Sequence, residues 1–172
     1  MKNTTWTLDN AHSEIAFKVK HMMISTVTGH FEDFDASAKT DGDSFEDAHF
    51  EFTAKTASIN TKNKDRDTHL RSDDFFNSEE FPEMKFVSKS YKGGKIVGDM
   101  TIRDVTKEIT LDAELNGIAV DPYGQTKAGF EIRGEVNRKD FNLTWNAVTE
   151  AGSIVVSDKV KLVVDLQFTK KA

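Results

Sequence analysis

Residues 95–115 read KIVGDMTIRDVTKEITLDAEL. Ile96, Gly98, Met100 and Ile102 alternate with Val97, Asp99, Thr101 and Arg103. After the turn pair Arg103-Asp104, Ile109, Leu111, Ala113 and Leu115 alternate with Glu108, Thr110, Asp112 and Glu114. A period of two puts every second side chain on one face, so this stretch is a hairpin of two half-buried strands with one apolar and one wet side. The same period extends in both directions. Ile15, Phe17 and Val19 alternate with Ala16, Lys18 and Lys20, and Phe50, Phe52 and Ala54 alternate with His49, Glu51, Thr53 and Lys55. Ala128, Phe130, Ile132, Gly134 and Val136 alternate with Gly129, Glu131, Arg133 and Glu135, and Val160, Leu162, Val164, Leu166 and Phe168 end the chain in the same manner. Asp41-Gly42-Asp43, Gly93-Gly94 and Asp121-Pro122-Tyr123-Gly124 supply turn chemistry between them.

Short connections between sided strands predict an antiparallel meander, and the polar face on every strand excludes a parallel α/β sheet buried on both sides. Roughly eight strands of about 10 residues are long for a sandwich, and a closed barrel both uses such lengths and removes sheet edges. The expectation is an all-β, extended eight-stranded antiparallel barrel forming one domain over residues 1–172. A homodimer would then have to use loops or a barrel face. Alternation stops once. Asn60-Thr61-Lys62-Asn63 offers cap residues, Lys64 to Arg71 reads as a short helix, and Ser72-Asp73-Asp74 caps a second turn before Phe75-Phe76, giving one helical segment near residues 63–76.

Composition restricts the function. The chain has 172 residues, a net charge of −6 and no cysteine, which excludes a disulfide scaffold and a thiolate zinc site and argues against capture of nucleic acid. No apolar run is long enough for a transmembrane helix and the N-terminus lacks a secretory signal pattern, so a cytoplasmic location is expected. Thirteen residues are Phe against two Trp and two Tyr, so most of the aromatic surface has no polar group and must be hidden. The histidines His12, His21, His30, His49 and His69 show no metal-binding spacing, and no nucleophile elbow is present. No metal, cofactor or catalytic residue is expected.

The densest polar cluster is Asp65-Arg66-Asp67-Thr68-His69. Its helical spacing suits either a headgroup site at a cavity mouth or ordinary local ion pairs, and the ion pairs are the simpler explanation. Small residues at Ala36, Ala38, Ala54, Gly98, Ala113, Ala128 and Gly134 share faces with large ones. They leave a hollow interior or interdigitate into a solid one.

These blocks, taken in order, resemble the YceI-like, polyisoprenoid-binding family. The matching motifs are WTLD at 6–9, HSEIAFKVKH at 12–21 with Ser25, Val27, Gly29 and Phe31, ASINT at 57–61, and RDTHLRSDDFF at 66–76. FPEMKF at 81–86, GDMTIRDVTK at 98–107 and RKDF at 138–141 follow. The resemblance implies a lipocalin-like barrel whose elongated apolar pore takes a long isoprenoid chain. Asn142 stands where the family usually has Gly, and the secretory leader common in the family is not visible.

The combined expectation is a non-enzymatic carrier for a long isoprenoid-type lipid, polyisoprenoid or quinone-like. Phe17, Val19, Phe31, Phe52, Met100, Ile102, Phe130, Ile132, Leu162 and Val164 are the expected pore lining. Phe75 and Phe76 would close one end, and Arg66, Asp67 and His69 would either meet a headgroup or pin the helix. Alternatives are an enzyme on a small apolar substrate with His21 or His69 as general base, and a solid-core, stress-linked interaction protein without a continuous cavity.

Overall fold

The computed structural model describes residues 3–146 and 156–171. It contains strands β1 (Thr4–Leu8), β2 (Glu14–His21), β3 (Ser25–Phe31), β4 (Phe34–Asp41), β5 (Ser44–Lys55) and β6 (Ile59–Asn60), helix α1 (Lys64–Arg71), and strands β7 (Glu83–Lys92), β8 (Lys95–Ile102), β9 (Val105–Val120), β10 (Thr126–Asn137) and β11 (Val156–Lys170). All pairings are antiparallel. The order β1-β4-β5-β7-β8-β9-β10-β11 returns to β1, so the sheet closes into an eight-stranded barrel.

Two barrel positions are filled by broken strands. β1 and β2 both pair with β11, β1 against Phe168–Lys170 and β2 against residues farther upstream, with a 3₁₀ turn at Asn10–His12 between them. β3 pairs with β2 while β4 pairs with β1, so these two form the second broken strand. The break has a cost at the edge. β3 meets β6 only at His30 and Phe31, so Ser25–Gly29 has no strand partner on its outer side among the described residues. Full closure, expected to leave no edge, therefore holds for the ring but not for β3.

Asp9 clamps the first break. Its Oδ2 lies 2.9 Å from His12 Nδ1 and accepts from Lys127 Nζ at 3.1 Å and Gln167 Nε2 at 3.3 Å, tying β1–β2 to β10 and β11. Partial burial raises the Asp9 carboxyl, but the hydrogen bonds and charges of His12 and Lys127 outweigh it and hold the group below its usual 3.8. A lowered native value stabilises the fold above the unfolded-state value and loses that effect as pH falls through the native one. Asp9→Asn is accordingly expected to cost about 1 kcal/mol, or about 2–4 °C in Tm, at pH 7. The gap from wild type should close below the usual 3.8, as thermal melts at stepped pH would show.

The turns follow the sequence. Lys92 pairs with Lys95 across Gly93-Gly94, both at positive φ, and Ile102 pairs with Val105 across Arg103-Asp104. α1 spans Lys64–Arg71 with the Asn63 side chain accepting from the Arg66 amide. Ser72 does not start a second helical turn, as the sequence suggested. It ends α1, its hydroxyl donating to His69 O, and a run of turns leads to Phe75-Phe76.

The interior divides in two. In the half nearest β1, Trp6, Phe45, Phe50, Phe130 and Phe168 are buried, with ring centroids 4.9 Å apart for Trp6–Phe45, 5.0 Å for Phe45–Phe130 and 5.5 Å for Phe50–Phe130. Trp6 Nε1 donates to Thr40 Oγ1 at 2.8 Å and Tyr91 OH to Ala113 O at 3.0 Å, so both polar handles are satisfied. Ala36, Ala38, Ala113 and Ala128 interdigitate with these rings, and this half is solid.

Candidate functional site

The other half is hollow. Phe31, Ala54, Phe75, Phe76, Ile102, Val136, Phe141 and Leu143 surround the space beneath the α1 segment. A cavity of about 160 Å³ runs from Phe52, Phe86, Met100, Leu111 and Ile132 at the barrel waist to Phe76, Phe141 and Leu143. Its wall is almost wholly apolar, so solvent has few hydrogen-bonding partners there and hydrocarbon is the suited occupant. A second, more polar space of about 420 Å³ opens toward solvent between β2, β3 and α1, lined by Lys20, His21, Val27, Thr61, Asn63, Asp65, Arg66, His69 and Trp145. Phe17, Val19, Leu70, Phe75 and Val156 line both. The two spaces adjoin along these five side chains, the inner one apolar and the outer one, its mouth, charged.

Glycines shape the wall. A Cβ on Gly29 would lie 2.3 Å from the Phe17 ring, and one on Gly134 would lie 2.3 Å from a Leu111 methyl. The space each Cβ would take is filled by the neighbour's ring or methyl, so the two glycines set where Phe17 and Leu111 lie on the wall.

The cap over the passage is fixed at both ends. Arg103, in the β8–β9 turn, donates from Nη1 to Asp73 O at 2.9 Å and Phe75 O at 3.0 Å, and from Nη2 to Asp73 Oδ1 at 3.0 Å. At the other end Asp67, buried, accepts from the Thr61 amide at 2.9 Å and hydroxyl at 2.5 Å. Arg66 donates from Nε to Thr61 Oγ1 at 2.8 Å and from Nη2 to Thr61 O at 2.7 Å. His69 Nε2 lies 2.8 Å from Asp74 Oδ2, and its ring meets Trp145 edge-on at 4.6 Å.

Of the ten residues expected in the lining, nine line the inner cavity: Phe17, Val19, Phe31, Phe52, Met100, Ile102, Ile132, Leu162 and Val164. Phe130 does not. It lies in the solid half against Phe45 and Phe50, because alternation fixes which face a residue takes but not its height along the barrel. Phe75 and Phe76 lie on the wall at the capped end. Arg66 and His69 line the mouth, whereas Asp67 is turned away from it onto Thr61.

Several wall residues were not anticipated. Met84, Phe141, Leu143 and Val156 come from segments whose alternation is short or broken, and Trp145 follows the last clear strand signal of its region. Arg138 is the least expected. It is 3% exposed, and its guanidinium donates to Ser157 O, Leu143 O, Trp145 O and Val156 O, with Nη2 also 3.9 Å from Asp158 Oδ1. Burial lowers its pKa, opposed by the Asp158 carboxylate. Asn142 takes the left-handed conformation at φ 62 and ψ 23 and ends the Arg138–Phe141 3₁₀ turn, a position that Gly would fill equally well. Among the described residues, no three His, Cys, Asp or Glu side chains converge as a metal site.

An antiparallel barrel with one end packed by aromatic rings, and an apolar passage under a helical cap at the other, defines a lipocalin-like β-barrel. Residues 6–168 match the YceI-like domain model, and the chain belongs to that family. A UPF0312 protein of Staphylococcus aureus is 38% identical over 96% of this chain and 98% of its own. The crystal structure of a Campylobacter jejuni YceI protein has a TM-score of 0.77 at 38% identity, covering 96% of this chain and 97% of that one. A polyisoprenoid binding domain from Saccharophagus degradans shares the fold, with a TM-score of 0.74 at 14% identity over 96% of this chain and 98% of that one. No helix among the described residues is long and apolar enough to cross a membrane.

Proposed function

We propose that this protein is a non-enzymatic carrier that holds a long isoprenoid-type lipid, a polyisoprenoid or quinone-like molecule, in the barrel passage. The observation that carries this reading is the inner cavity, apolar along the wall from Ile132 to Phe141 and adjoining, at Phe17 and Phe75, an outer space with Lys20, Arg66 and His69. Its shape suits a chain with a polar end. Burial supplies the affinity at about 0.8 kcal/mol per methylene, less the ordering cost, so little polar recognition is required. The polyisoprenoid binding domain of like fold supports the choice of ligand class.

Arg66 meets the headgroup with the Nη1 that its bonds to Thr61 leave over, and His69 adds a second contact. Asp67 serves to hold α1 in place. The site of action is the cytoplasm, which cell fractionation tests. The carrier role is tested by mass spectrometry of an organic extract of natively purified protein, followed by titration with a polyprenol. A co-purified isoprenoid, or saturable binding of the added one, is the expected result. No lipid in the extract together with no binding of the added polyprenol ends the proposal.

A further inference from the structure

The tip of the β2–β3 hairpin displays Met23 and Ile24, which are 60% and 80% exposed. No described residue covers them. Met22 and Met23 also adopt positive φ, 51° and 58°, a conformation that turns ordinarily assign to Asn or Gly. Apolar side chains are thus held in strained positions at a water-exposed tip. That tip adjoins the mouth, since Lys20 and His21 before it and Val27 after it line the outer space together with Asn63, Asp65 and Arg66.

The charge around it opposes that of the whole chain, whose net value is −6. Lys18, Lys20, Lys62 and Lys64 are exposed, and none forms an ion pair with a described residue, whereas Lys127 and Lys170 near the solid end pair with Asp9 and Asp43. Asp65 is the one carboxylate among the described residues lining the outer space. An apolar tip set among lysines that form no ion pair with a described residue matches an anionic lipid surface, where apolar side chains enter the headgroup region and each cation gains from the surface potential.

We propose that the rim formed by the β2–β3 tip and the start of α1 docks onto an anionic bilayer, so that the passage opens directly on the membrane from which its lipid is drawn or to which it is returned. The use of the surface rests on the carrier reading; the docking itself does not require it. Val120 and Tyr123 at the β9–β10 tip, 68% and 89% exposed, provide a control, being comparably exposed but at the opposite, solid end and beside Asp121.

Flotation of the purified protein with phosphatidylcholine vesicles, with and without phosphatidylglycerol, tests this. Binding is expected only with phosphatidylglycerol. The double variant Met23→Ser, Ile24→Ser should reduce it about tenfold or more, and Lys62→Gln and Lys64→Gln about fivefold each. Val120→Ser with Tyr123→Ser should leave it unchanged. Absence of wild-type binding, full binding by the Met23/Ile24 variant, or loss of a dimer in that variant without loss of vesicle binding overturns the proposal, the last assigning the tip to a second copy. Polyprenol uptake measured without vesicles separates the two hypotheses. If the wild type fails to take up polyprenol yet still floats, the carrier reading falls and the docking stands.

Discussion

Replacing Arg138 with Leu is expected to remove about 3–5 kcal/mol of stability, comparable with breaking a buried ion pair. The side chain fits sterically, but four backbone carbonyls, those of Leu143, Trp145, Val156 and Ser157, lose their donor at once. Each buried acceptor left without a partner costs about 1–3 kcal/mol, and water that enters recovers part of it. Urea unfolding measures the loss. Arg138→Lys keeps the charge but not the fork that reaches both sides, and should fall between the two. A loss under 1 kcal/mol for the Leu variant would show that the segment after β10 is held by something else. Because these bonds join the chain around Trp145 to the start of β11, the same variant should also loosen the mouth wall and blunt the edge-on contact of His69 on Trp145.

That such a residue governs the mouth was not legible in the sequence, for a physical reason. Alternation reports on faces, and Arg138 lies in a 3₁₀ turn at a strand end, where there is no alternation to read. A charged residue there is exposed by default; only the carbonyls brought together by the return of β11 make it a buried hub. The strand breaks escaped for a related reason. Asn10–His12 and the Glu32-Asp33 gap are too short to look like turns, so eight positions appeared as eight strands. The local pattern carried the hairpin at Lys95–Ile102 and Val105–Val120, the cap residues at 60–63, of which Asn63 caps α1, and the sidedness that directs Phe17, Phe52, Met100 and Ile132 inward.

Height along the barrel requires the stagger between strands, and no single strand contains it. β10 crosses from the solid half to the hollow one within two residues, Phe130 packing on Phe45 while Ile132 reaches the cavity. A bulge sits beside this step, since Gly129 pairs with Gly117 but Phe130 with Leu115, leaving Asn116 over on β9. Eleven of the thirteen Phe therefore serve two purposes. Phe45, Phe50, Phe130 and Phe168 fill one half and make the barrel rigid, and Phe17, Phe31, Phe52, Phe75, Phe76, Phe86 and Phe141 line the other and leave a passage.

This division separates binding from stability, and one pair of variants exploits it. Met100 lies on the cavity wall and is only partly buried, so Met100→Trp should extend its ring into the 160 Å³ of open space rather than into packed neighbours. An indole there displaces about four or five methylenes of a bound chain, which at about 0.8 kcal/mol each lowers polyprenol affinity a hundredfold or more. The melting temperature should change little, because filling space differs from overpacking. Phe130→Leu should do the reverse: it opens a void among Phe45, Phe50 and Phe168 and costs about 1–3 kcal/mol, with the affinity left within about twofold since the ring does not touch the passage. Titration with a polyprenol, paired with thermal melts of both variants, reads the two effects independently. Unchanged affinity in Met100→Trp would place the ligand outside the inner cavity, and an affinity loss in Phe130→Leu matching its stability loss would mean that the two halves do not act separately.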